Sequence, residues 1–320
     1  MSIFVLGAGA FGTALAISLA RSNAQLKLWA RDAEHVDSMQ AERMNSARLP
    51  NVSLPENIQI TSDLAPTSHD TILLAVPMQK LRGLLENKRD VLEGKTLVAC
   101  CKGVELGSQL GPIALIRECV SQSMPAILTG PSFAKDIAKG LPTALTLAVE
   151  NDKVGVELQK SLTTPNLRIY RTTDTVGAEL GGALKNVMAI ACGAAIGAGL
   201  GESARAALMT RGYAEIQRMA QALGARPETL AGLSGFGDLT LTCTSEQSRN
   251  YRFGLALGQG AAFDPSITVE GAATARAVQE RADQMNIEMP ITDAVVALLD
   301  RKMEIADVIE MLLSRPPKEE

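Results

Sequence analysis

The residues best suited to chemistry begin with a glycine loop close to the start of the chain. Residues 7–12 read Gly-Ala-Gly-Ala-Phe-Gly, which matches the pattern G-x-G-x-x-G. The loop directly follows a predicted strand and opens a predicted helix over residues 13–21. In that context Gly7, Gly9 and Gly12 permit a tight turn, a close approach of backbone N–H groups to a pyrophosphate, and close helix–strand packing. The loop therefore predicts a dinucleotide site.

The end of the second predicted strand bears on which dinucleotide binds. An acidic residue about 20 residues past the loop holds the 2′-hydroxyl of NAD, whereas a nearby arginine accepts the 2′-phosphate of NADP. The chain carries Arg31 followed by Asp32 at this point. Because Arg31 comes first and keeps its charge, the sequence favours NADP, while Asp32 leaves NAD open. The alternative is a solvated Arg–Asp pair at a turn.

Two lysines lie where proton chemistry can be expected. Lys185 directly precedes the uncharged stretch 186–201. Burial lowers the pKa of an amine, as acid–base lysines require, so we expect a functional role for Lys185. Lys102 ends the fifth predicted strand, where it is either solvated or directed into a cofactor crevice. For Lys185 the alternative is an ammonium that reaches solvent from the start of a helix.

The segment from Thr129 to Ala134 reads as a turn between a strand and a helix. Gly130 permits a close approach of another group, and Ser132 is expected to cap the helix that follows. Because a helix N-terminus also attracts anions, the same turn can bind a ligand. Both interpretations hold at once.

A glycine-rich turn and a polar triplet follow in the second half of the chain. The turn at residues 235–237 ends at Asp238, and ten residues on come Ser248, Arg249 and Asn250. A guanidinium flanked by neutral donors suits a phosphate or carboxylate. The triplet alone is weak evidence, because the same residues commonly cap helices.

Composition and charge restrict the classes of function. The chain has 320 residues with a net charge of −4, so it offers no basic surface for nucleic acid. Its only histidines are His35 and His69, which argues against a multi-histidine metal centre, and no metal site is expected. The five cysteines show no C-x-x-C spacing and indicate buried thiols in a reducing compartment.

The chain shows neither a signal peptide nor a membrane span. Its first residues lack a charged segment, a long apolar run and a cleavage site. The uncharged stretch 186–201 is shorter than the roughly 20 residues that a span requires. The sequence therefore predicts a cytoplasmic protein without an integral membrane segment.

The elements that must position these groups differ between the two halves of the chain. Short apolar runs alternate with helical segments up to about residue 149, which predicts βαβ units and a mainly parallel sheet. Because ligands lie beyond the carboxyl ends of such strands, the loops there should carry the chemistry. The predicted strands are 3–6, 25–29, 57–60, 71–76, 96–100, 126–128, 144–149 and 167–171.

Helical periodicity dominates the second half. Leu208, Gly212, Ile216, Met219 and Leu223 recur at steps of three and four residues along one helix face. The sequence therefore predicts two domains: a Rossmann-type α/β dinucleotide-binding domain over 1–176 and an all-α substrate and catalytic domain over 177–320.

Taken together, these segments resemble the bacterial NAD(P)-dependent glycerol-3-phosphate dehydrogenases over nearly the whole chain. The motifs that carry the resemblance are residues 7–16, 130–134, 180–187, 235–239, 242–244, 248–250 and 269–271. Several motifs in the same order are far more specific than one glycine loop. The resemblance implies interconversion of dihydroxyacetone phosphate and sn-glycerol 3-phosphate, which supplies glycerophospholipid synthesis.

The resemblance also implies a role for individual residues. Lys185 matches the proton donor or acceptor, with Lys102 and Asp238 close to the reacting carbons. The substrate is expected at these three residues and at Gly130, Ser132, Ser248, Arg249 and Asn250. The dinucleotide is expected at Gly7, Gly9, Phe11, Gly12, Arg31, Lys102, Ala134, Arg249, Thr268 and Glu270.

Two residues depart from the family pattern. Ala10 stands where relatives often carry serine, and Thr268 stands where they often carry a small apolar residue. Both changes weaken single cofactor contacts and leave the proposed catalytic group untouched.

Two other functions remain open from the sequence. One is a β-hydroxyacid dehydrogenase with the same two domains, acting on a carboxylate. The other is a nicotinamide-responsive binding protein without turnover, which the pair Lys185 and Asp238 disfavours because a sensor needs no proton relay. A homodimer is also left open.

Overall fold

A computed structural model describes residues 3–22, 26–64 and 69–313 of the chain. Eight strands form one sheet in the order β10-β9-β8-β7-β6-β1-β2-β5. All neighbours pair in parallel except β8 and β9. The strands are β1 Ile3–Leu6, β2 Leu26–Trp29, β5 Ile58–Thr61, β6 Thr71–Leu74, β7 Thr96–Ala99, β8 Met124–Thr129, β9 Thr143–Ala148 and β10 Leu167–Thr172; a separate hairpin pairs β3 Met44–Asn45 with β4 Leu49–Ser53.

The predicted fold class is confirmed, with two differences in detail. Each predicted strand is present; the first has the expected bounds, and the bounds of the others differ by one or two residues. Residue 25, where the second was expected to begin, lies outside the described residues. The hairpin β3–β4 was not predicted, because β3 has only two residues and β4 is mostly exposed and contains Pro50. The antiparallel pairing of β8 with β9 was also missed, because strand direction depends on the path of the connection rather than on the composition of the strand.

Side chains of the sheet point alternately to two apolar layers. Ile3 and Val5 of β1 belong to one buried cluster, and Phe4 and Leu6 belong to the other. This alternation follows from the two-residue period of a strand, and a sheet covered on both faces needs continuous apolar strands. The helices of this part are α1 Ala10–Ala20, α2 Ala33–Glu42, α3 Met78–Asn87, α4 Arg89–Leu92, α5 Pro112–Cys119, α6 Ala134–Lys139 and α7 Asp152–Leu162.

The rest of the described chain is helical. Its helices are α8 Thr175–Gly197, α9 Gly201–Ala222, α10 Pro227–Ala231, α11 Asp238–Cys243, α12 Arg249–Gly258, α13 Glu270–Met285, α14 Pro290–Leu299 and α15 Ile305–Leu313; a π-helical turn covers Leu233–Gly237.

The chain divides into two compact units. The first comprises residues 1–102 and 110–179, and the second comprises residues 103–109 and 180–320. The boundary predicted at 176/177 falls near the start of α8, and it stays a prediction. The short segment 103–109 belongs to the second unit although it follows β7, and no feature of the sequence indicated this.

Helix α8 is the most apolar long helix of the chain. It has the length and hydropathy of a membrane span, but 89% of the relevant 18-residue window is buried inside the protein. That burial is typical of a core helix. The predicted buried helix is confirmed for residues 186–197, whereas α8 ends at Gly197 and residues 200 and 201 are exposed.

Candidate active site

The glycine loop joins β1 to α1 in a conformation that only glycine allows. Gly7 has a φ of +119°, and a Cβ there would lie 2.4 Å from the carbonyl oxygen of Ala75. A Cβ on Gly12 would lie 2.1 Å from the carbonyl oxygen of Gly7. A Cβ on Gly9 would meet nothing within 4 Å. Gly7 and Gly12 therefore allow the tight turn and the close packing. Gly9 leaves the outer side of the loop open to a ligand.

The N-terminus of α1 fits a pyrophosphate. Gly9 is the N-cap residue, and no side chain caps the helix there. The N–H groups of a helix's first turn lack partners inside the helix, and together with the helix dipole they favour an anion. The first unit thus carries the features that a dinucleotide phosphate requires.

Asn45, on the unpredicted strand β3, braces the glycine loop. Its Nδ2 donates to the carbonyl oxygen of Ala8 at 2.9 Å and to Oγ1 of Thr13 at 2.8 Å. Its Oδ1 lies 2.9 Å from Nε2 of His35 on α2. Asn45 is fully buried, so these bonds hold the loop against α2. Nothing in the local sequence around Asn45 indicated this role.

Arg31 and Asp32 have different surroundings at the end of β2. Oδ1 of Asp32 accepts hydrogen bonds from the backbone N–H groups of Glu34 at 3.0 Å and His35 at 3.4 Å. Asp32 is thus the N-cap of α2. Arg31 is exposed. The acid is already engaged by its own helix, whereas the guanidinium faces solvent.

Lys102 and Ser132 converge on one backbone carbonyl in the first unit. Nζ of Lys102 donates to the carbonyl oxygen of Gly130 at 3.2 Å, and Oγ of Ser132 donates to the same oxygen at 3.1 Å. The prediction that Ser132 caps the next helix is wrong: α6 begins at Ala134, and its N-cap is Phe133 without a side-chain bond. Gly130 has a φ of +134°, a backbone conformation that favours glycine.

A buried ion pair lies in the second unit. Nζ of Lys185 on α8 donates to Oδ1 of Asp238 at 2.5 Å and to Oγ1 of Thr242 at 2.6 Å. Oγ1 of Thr242 in turn lies 3.3 Å from Oδ1 of Asp238. Lys185 and Asp238 are 6% and 1% exposed. Because a buried charge without a partner is strongly destabilising, each member of this group depends on the others.

Thr242 is the functional candidate that sequence reasoning missed as an individual residue. It was noted only within a motif. Asp238 and Thr242 are the first and fifth residues of α11, so their side chains lie one helical turn apart on the same face. That four-residue spacing is the signal that could have identified the threonine.

The triplet 248–250 lies at the start of α12, and its three residues make different contacts. Oγ of Ser248 accepts from the backbone N–H of Tyr251 at 3.2 Å, which makes Ser248 the N-cap of the helix. Arg249 is exposed. Oδ1 of Asn250 accepts from the backbone N–H of Gly271 at 3.0 Å. Since the amide oxygen of Asn250 is held in this way, its Nδ2 is the end that can donate to an anion.

Gly271 also brings two predicted cofactor residues close to this triplet. Glu270 is the first residue of α13, and Thr268 lies two residues before it in an exposed position. The bond from Gly271 to Asn250 ties the start of α13 to the start of α12. Helices α12 and α13 therefore present their first residues side by side.

The cysteines are unsuited to nucleophilic or metal chemistry. All five are buried free thiols. Burial raises the pKa of Cys100 to about 12. Burial and then a hydrogen bond with Cys192 raise the pKa of Cys243 well above its ordinary value. Within the described residues, no group of three or more His, Cys, Asp or Glu side chains could hold a metal ion.

Known proteins resemble this chain over its whole length. Residues 2–155 match the family model described as NAD-dependent glycerol-3-phosphate dehydrogenase N-terminus, and residues 174–310 match that described as its C-terminus. The chain is 65% identical to a glycerol-3-phosphate dehydrogenase [NAD(P)+] of Ruegeria sp. (strain TM1040), with 100% of both chains covered. It is 60% identical to that of Roseobacter denitrificans, again with 100% of both covered.

A solved structure shows the same similarity in three dimensions. The crystal structure of glycerol-3-phosphate dehydrogenase from Coxiella burnetii matches with a TM-score of 0.93 and 38% identity. The match covers 98% of this chain and 99% of that one. The similarity therefore extends through both units.

Proposed function

The chain belongs to the NAD-dependent glycerol-3-phosphate dehydrogenase family, and from this we propose that it interconverts dihydroxyacetone phosphate and sn-glycerol 3-phosphate with NAD or NADP. The structural observation that best supports this proposal is the buried ammonium of Lys185, which is held by Asp238 and Thr242. The product supplies the glycerol phosphate unit of glycerophospholipids. The high identity to glycerol-3-phosphate dehydrogenases does not favour the hydroxyacid alternative.

The protein's part in the reduction is to move one proton. The bound nicotinamide supplies the hydride, which forms the new C–H bond at C2 of dihydroxyacetone phosphate. The electron pair of the carbonyl bond passes to its oxygen, and we assign Lys185 as the acid that protonates this oxygen. In the reverse direction the neutral amine of Lys185 takes the hydroxyl proton.

Asp238 and Thr242 orient the ammonium of Lys185. They accept two of its three N–H donors, which fixes its direction within a buried site. A preorganised positive charge stabilises a developing alkoxide without further rearrangement. This supports Asp238 as a residue that holds the proton donor in position.

The substrate phosphate is assigned to the start of α12. Nδ2 of Asn250 and the guanidinium of Arg249 provide donors, and Ser248 caps the helix N-terminus. Binding energy from the phosphate, which does not react, serves to align the carbonyl. Lys102, Gly130 and Ser132 stay predicted substrate contacts of the first unit.

The first unit is assigned the dinucleotide. The N–H groups at the start of α1 suit its pyrophosphate, next to Phe11. Ala134, Arg249, Thr268 and Glu270 stay predicted contacts from the resemblance, as does Lys102.

We propose a preference for NADP over NAD. Oδ1 of Asp32 accepts from backbone N–H groups of α2, so this oxygen is already engaged within the chain. The exposed guanidinium of Arg31 suits the 2′-phosphate. We expect a higher kcat/KM with NADPH than with NADH. Arg31→Ala should reduce the ratio of kcat/KM with NADPH to kcat/KM with NADH roughly tenfold to a hundredfold, because it removes one charge-assisted hydrogen bond. A clear advantage for NADH in the unsubstituted enzyme contradicts this preference.

The deciding experiment measures substrate-dependent oxidation of NADPH. We expect turnover with dihydroxyacetone phosphate and little with short keto acids. Lys185→Ala should lower kcat by about 10²–10⁴-fold, the usual contribution of a general acid, with the fold retained by circular dichroism. Lys160→Ala, an exposed lysine of α7, is the matched control and should retain full activity.

Three outcomes would contradict the proposed function. Turnover of keto acids in preference to dihydroxyacetone phosphate would favour the hydroxyacid dehydrogenase. Cofactor binding without any turnover would favour the binding protein. A Lys185→Ala variant that keeps more than about a tenth of the kcat would remove Lys185 as the acid.

We further propose that the enzyme works in the cytoplasm as a homodimer. The buried free cysteines and the mostly buried α8 support the location. Light scattering of the purified enzyme measures the oligomeric state, and a monomer mass would contradict the dimer.

A further inference from the structure

Helix α8 and the π-helical turn Leu233–Gly237 touch through their backbones at Gly181. A Cβ placed on Gly181 would lie 2.6 Å from the carbonyl oxygen of Ser234 and 3.0 Å from Cα of Gly235. Carbon and oxygen atoms that are not bonded normally stay well over 3 Å apart. The contact therefore exists only because residue 181 has no side chain.

The same two segments carry the buried ion pair. Gly181 precedes Lys185 by four residues, so the two lie on one face of α8, about 6 Å apart along its axis. Asp238 directly follows the π-helical turn. Helix α8 and the segment that contains the π-helical turn and Asp238 are thus joined by two neighbouring contacts. One is the backbone contact at Gly181, and the other is the 2.5 Å bond between Nζ of Lys185 and Oδ1 of Asp238.

The turn has little freedom to deform within itself. A Cβ on Gly235 would lie 1.9 Å from the carbonyl oxygen of Leu230, so the turn packs directly on α10. The backbone N–H of Gly237 donates to the carbonyl oxygen of Gly232 at 3.1 Å. A group added at residue 181 must therefore displace the turn as a whole, together with Asp238.

Helix α8 has little freedom to move away instead. A Cβ on Gly193 would lie 2.1 Å from the carbonyl oxygen of Tyr251, and one on Gly197 would lie 2.2 Å from that of Leu255. These contacts pack α8 against the backbone of α12. The turn is therefore the element that moves.

We propose that Gly181 is a positioning residue of the reaction, because its contact with the π-helical turn sets the distance between Lys185 and Asp238. This inference rests on the proposed role of Lys185. A methyl group at position 181 displaces the turn by on the order of 1 Å, which is enough to take a hydrogen bond of 2.5 Å beyond its effective range. The ammonium of Lys185 then loses its orienting carboxylate.

The test compares Gly181→Ala with Gly83→Ala. Gly83 lies in α3, and a Cβ there would meet nothing within 4 Å, so its variant controls for a glycine replaced within a helix. We expect Gly181→Ala to lower kcat by about tenfold to a hundredfold, since a displacement of 1 Å at a site can cost that much. The KM for dihydroxyacetone phosphate should change little, and the pH profile of kcat should shift because Asp238 no longer contacts Lys185. Gly83→Ala should match the unsubstituted enzyme.

A second substitution that restores kcat distinguishes a positioning role of Gly181 from a general loss of structure. In Gly181→Ala, a second change Asp238→Glu lengthens the carboxylate by one methylene and should restore kcat several-fold. A Gly181→Ala variant with unchanged kcat and pH profile overturns the proposal, and so does a double variant no better than Gly181→Ala when both are folded.

Asp238→Glu alone keeps the proposal testable if Gly181→Ala fails to fold. Asp238 is buried and already within 2.5 Å of Nζ of Lys185, so we expect the longer side chain to lower kcat at least about tenfold while Gly181 holds the turn. Retained activity would mean that the turn adjusts freely, which overturns the proposal. Lys185→Met is measured in parallel: full activity of that variant refutes the role of Lys185 itself, whatever Gly181→Ala does.

Discussion

At the scale of single residues, two buried polar side chains of the second unit hold one ammonium. Lys185 contacts a carboxylate and a hydroxyl, and both acceptors come from α11. In the proposed mechanism this lysine takes the part that histidine has in many dehydrogenase sites, in a chain with only two histidines. The environment of Lys185, rather than its residue type, suits it to handle a proton.

Thr242→Val tests whether the hydroxyl orients this ammonium. The change removes an acceptor from Lys185 and a donor from Asp238 while keeping the side-chain shape. Loss of a hydrogen bond to a charged group costs about 1.5–3 kcal/mol, so we expect kcat to fall roughly tenfold to a hundredfold. Thr242→Ser keeps the hydroxyl and should stay near the unsubstituted kcat. A Thr242→Val variant that keeps the unsubstituted kcat would contradict an orienting role of the hydroxyl.

Asn250→Asp tests the assigned phosphate contact. The aspartate still accepts from the backbone N–H of Gly271, but it replaces the Nδ2 donor with a negatively charged oxygen. We expect the KM for dihydroxyacetone phosphate to rise at least about tenfold, because a charge-assisted bond becomes a repulsion. Steady-state kinetics at saturating NADPH measures it, with Asn151→Asp, an N-cap of α7 outside the site, as the control. An unchanged KM would remove Asn250 from the phosphate site.

At the scale of elements, one buried carboxylate fixes how α14 begins. Oε1 of Glu215 on α9 accepts from the backbone N–H of Ile291 at 2.6 Å, and Oε2 accepts from the N–H and the hydroxyl of Thr292 at 3.2 Å. Burial raises the pKa of Glu215 to about 7, against the opposing effect of these bonds and of Arg218. Glu215 therefore changes its charge near neutral pH.

This carboxyl predicts a pH dependence of stability. Because its pKa is higher in the folded than in the unfolded chain, the folded state binds the proton more tightly, and stability falls as the pH rises from about 4.5 through about 7. Glu215→Gln cannot titrate, so its stability should depend less on pH. The advantage of the unsubstituted protein over this variant should shrink by up to about 3 kcal/mol between pH 5 and pH 8 in urea unfolding. A difference that stays constant with pH would contradict the raised pKa.

At the scale of the whole molecule, the fold class was the most predictable property. Alternating short apolar runs and a glycine loop after the first strand predicted a mainly parallel sheet, and the structure has it. Buried parallel strands need continuous apolar residues, and a tight turn needs glycine, so both leave marks in the local sequence. The hairpin β3–β4 leaves no such mark, because β4 mixes apolar and polar residues around a proline and the pairing covers only a few positions.

The sequence by itself determined which chemical groups the protein has. The glycine loop, Lys185, Asp238 and the triplet 248–250 were identified from residue types, spacing and family resemblance. Each carries a local signature, such as a tight turn, an isolated charge in an apolar stretch, or a run of donors. Their roles in the reaction remain assignments for the experiments above to test.

Only the tertiary structure decided which of these groups meet. Lys185 and Thr242 are 57 residues apart in the chain, yet their polar atoms are 2.6 Å apart. Asn45 braces a loop 37 residues away, and Gly181 matters because of a carbonyl that approaches it from another element. These relations follow from how helices and strands pack, and packing depends on the combined shape of many side chains. A local pattern records the conformation of its own segment and carries no information on the partner that the fold places against it.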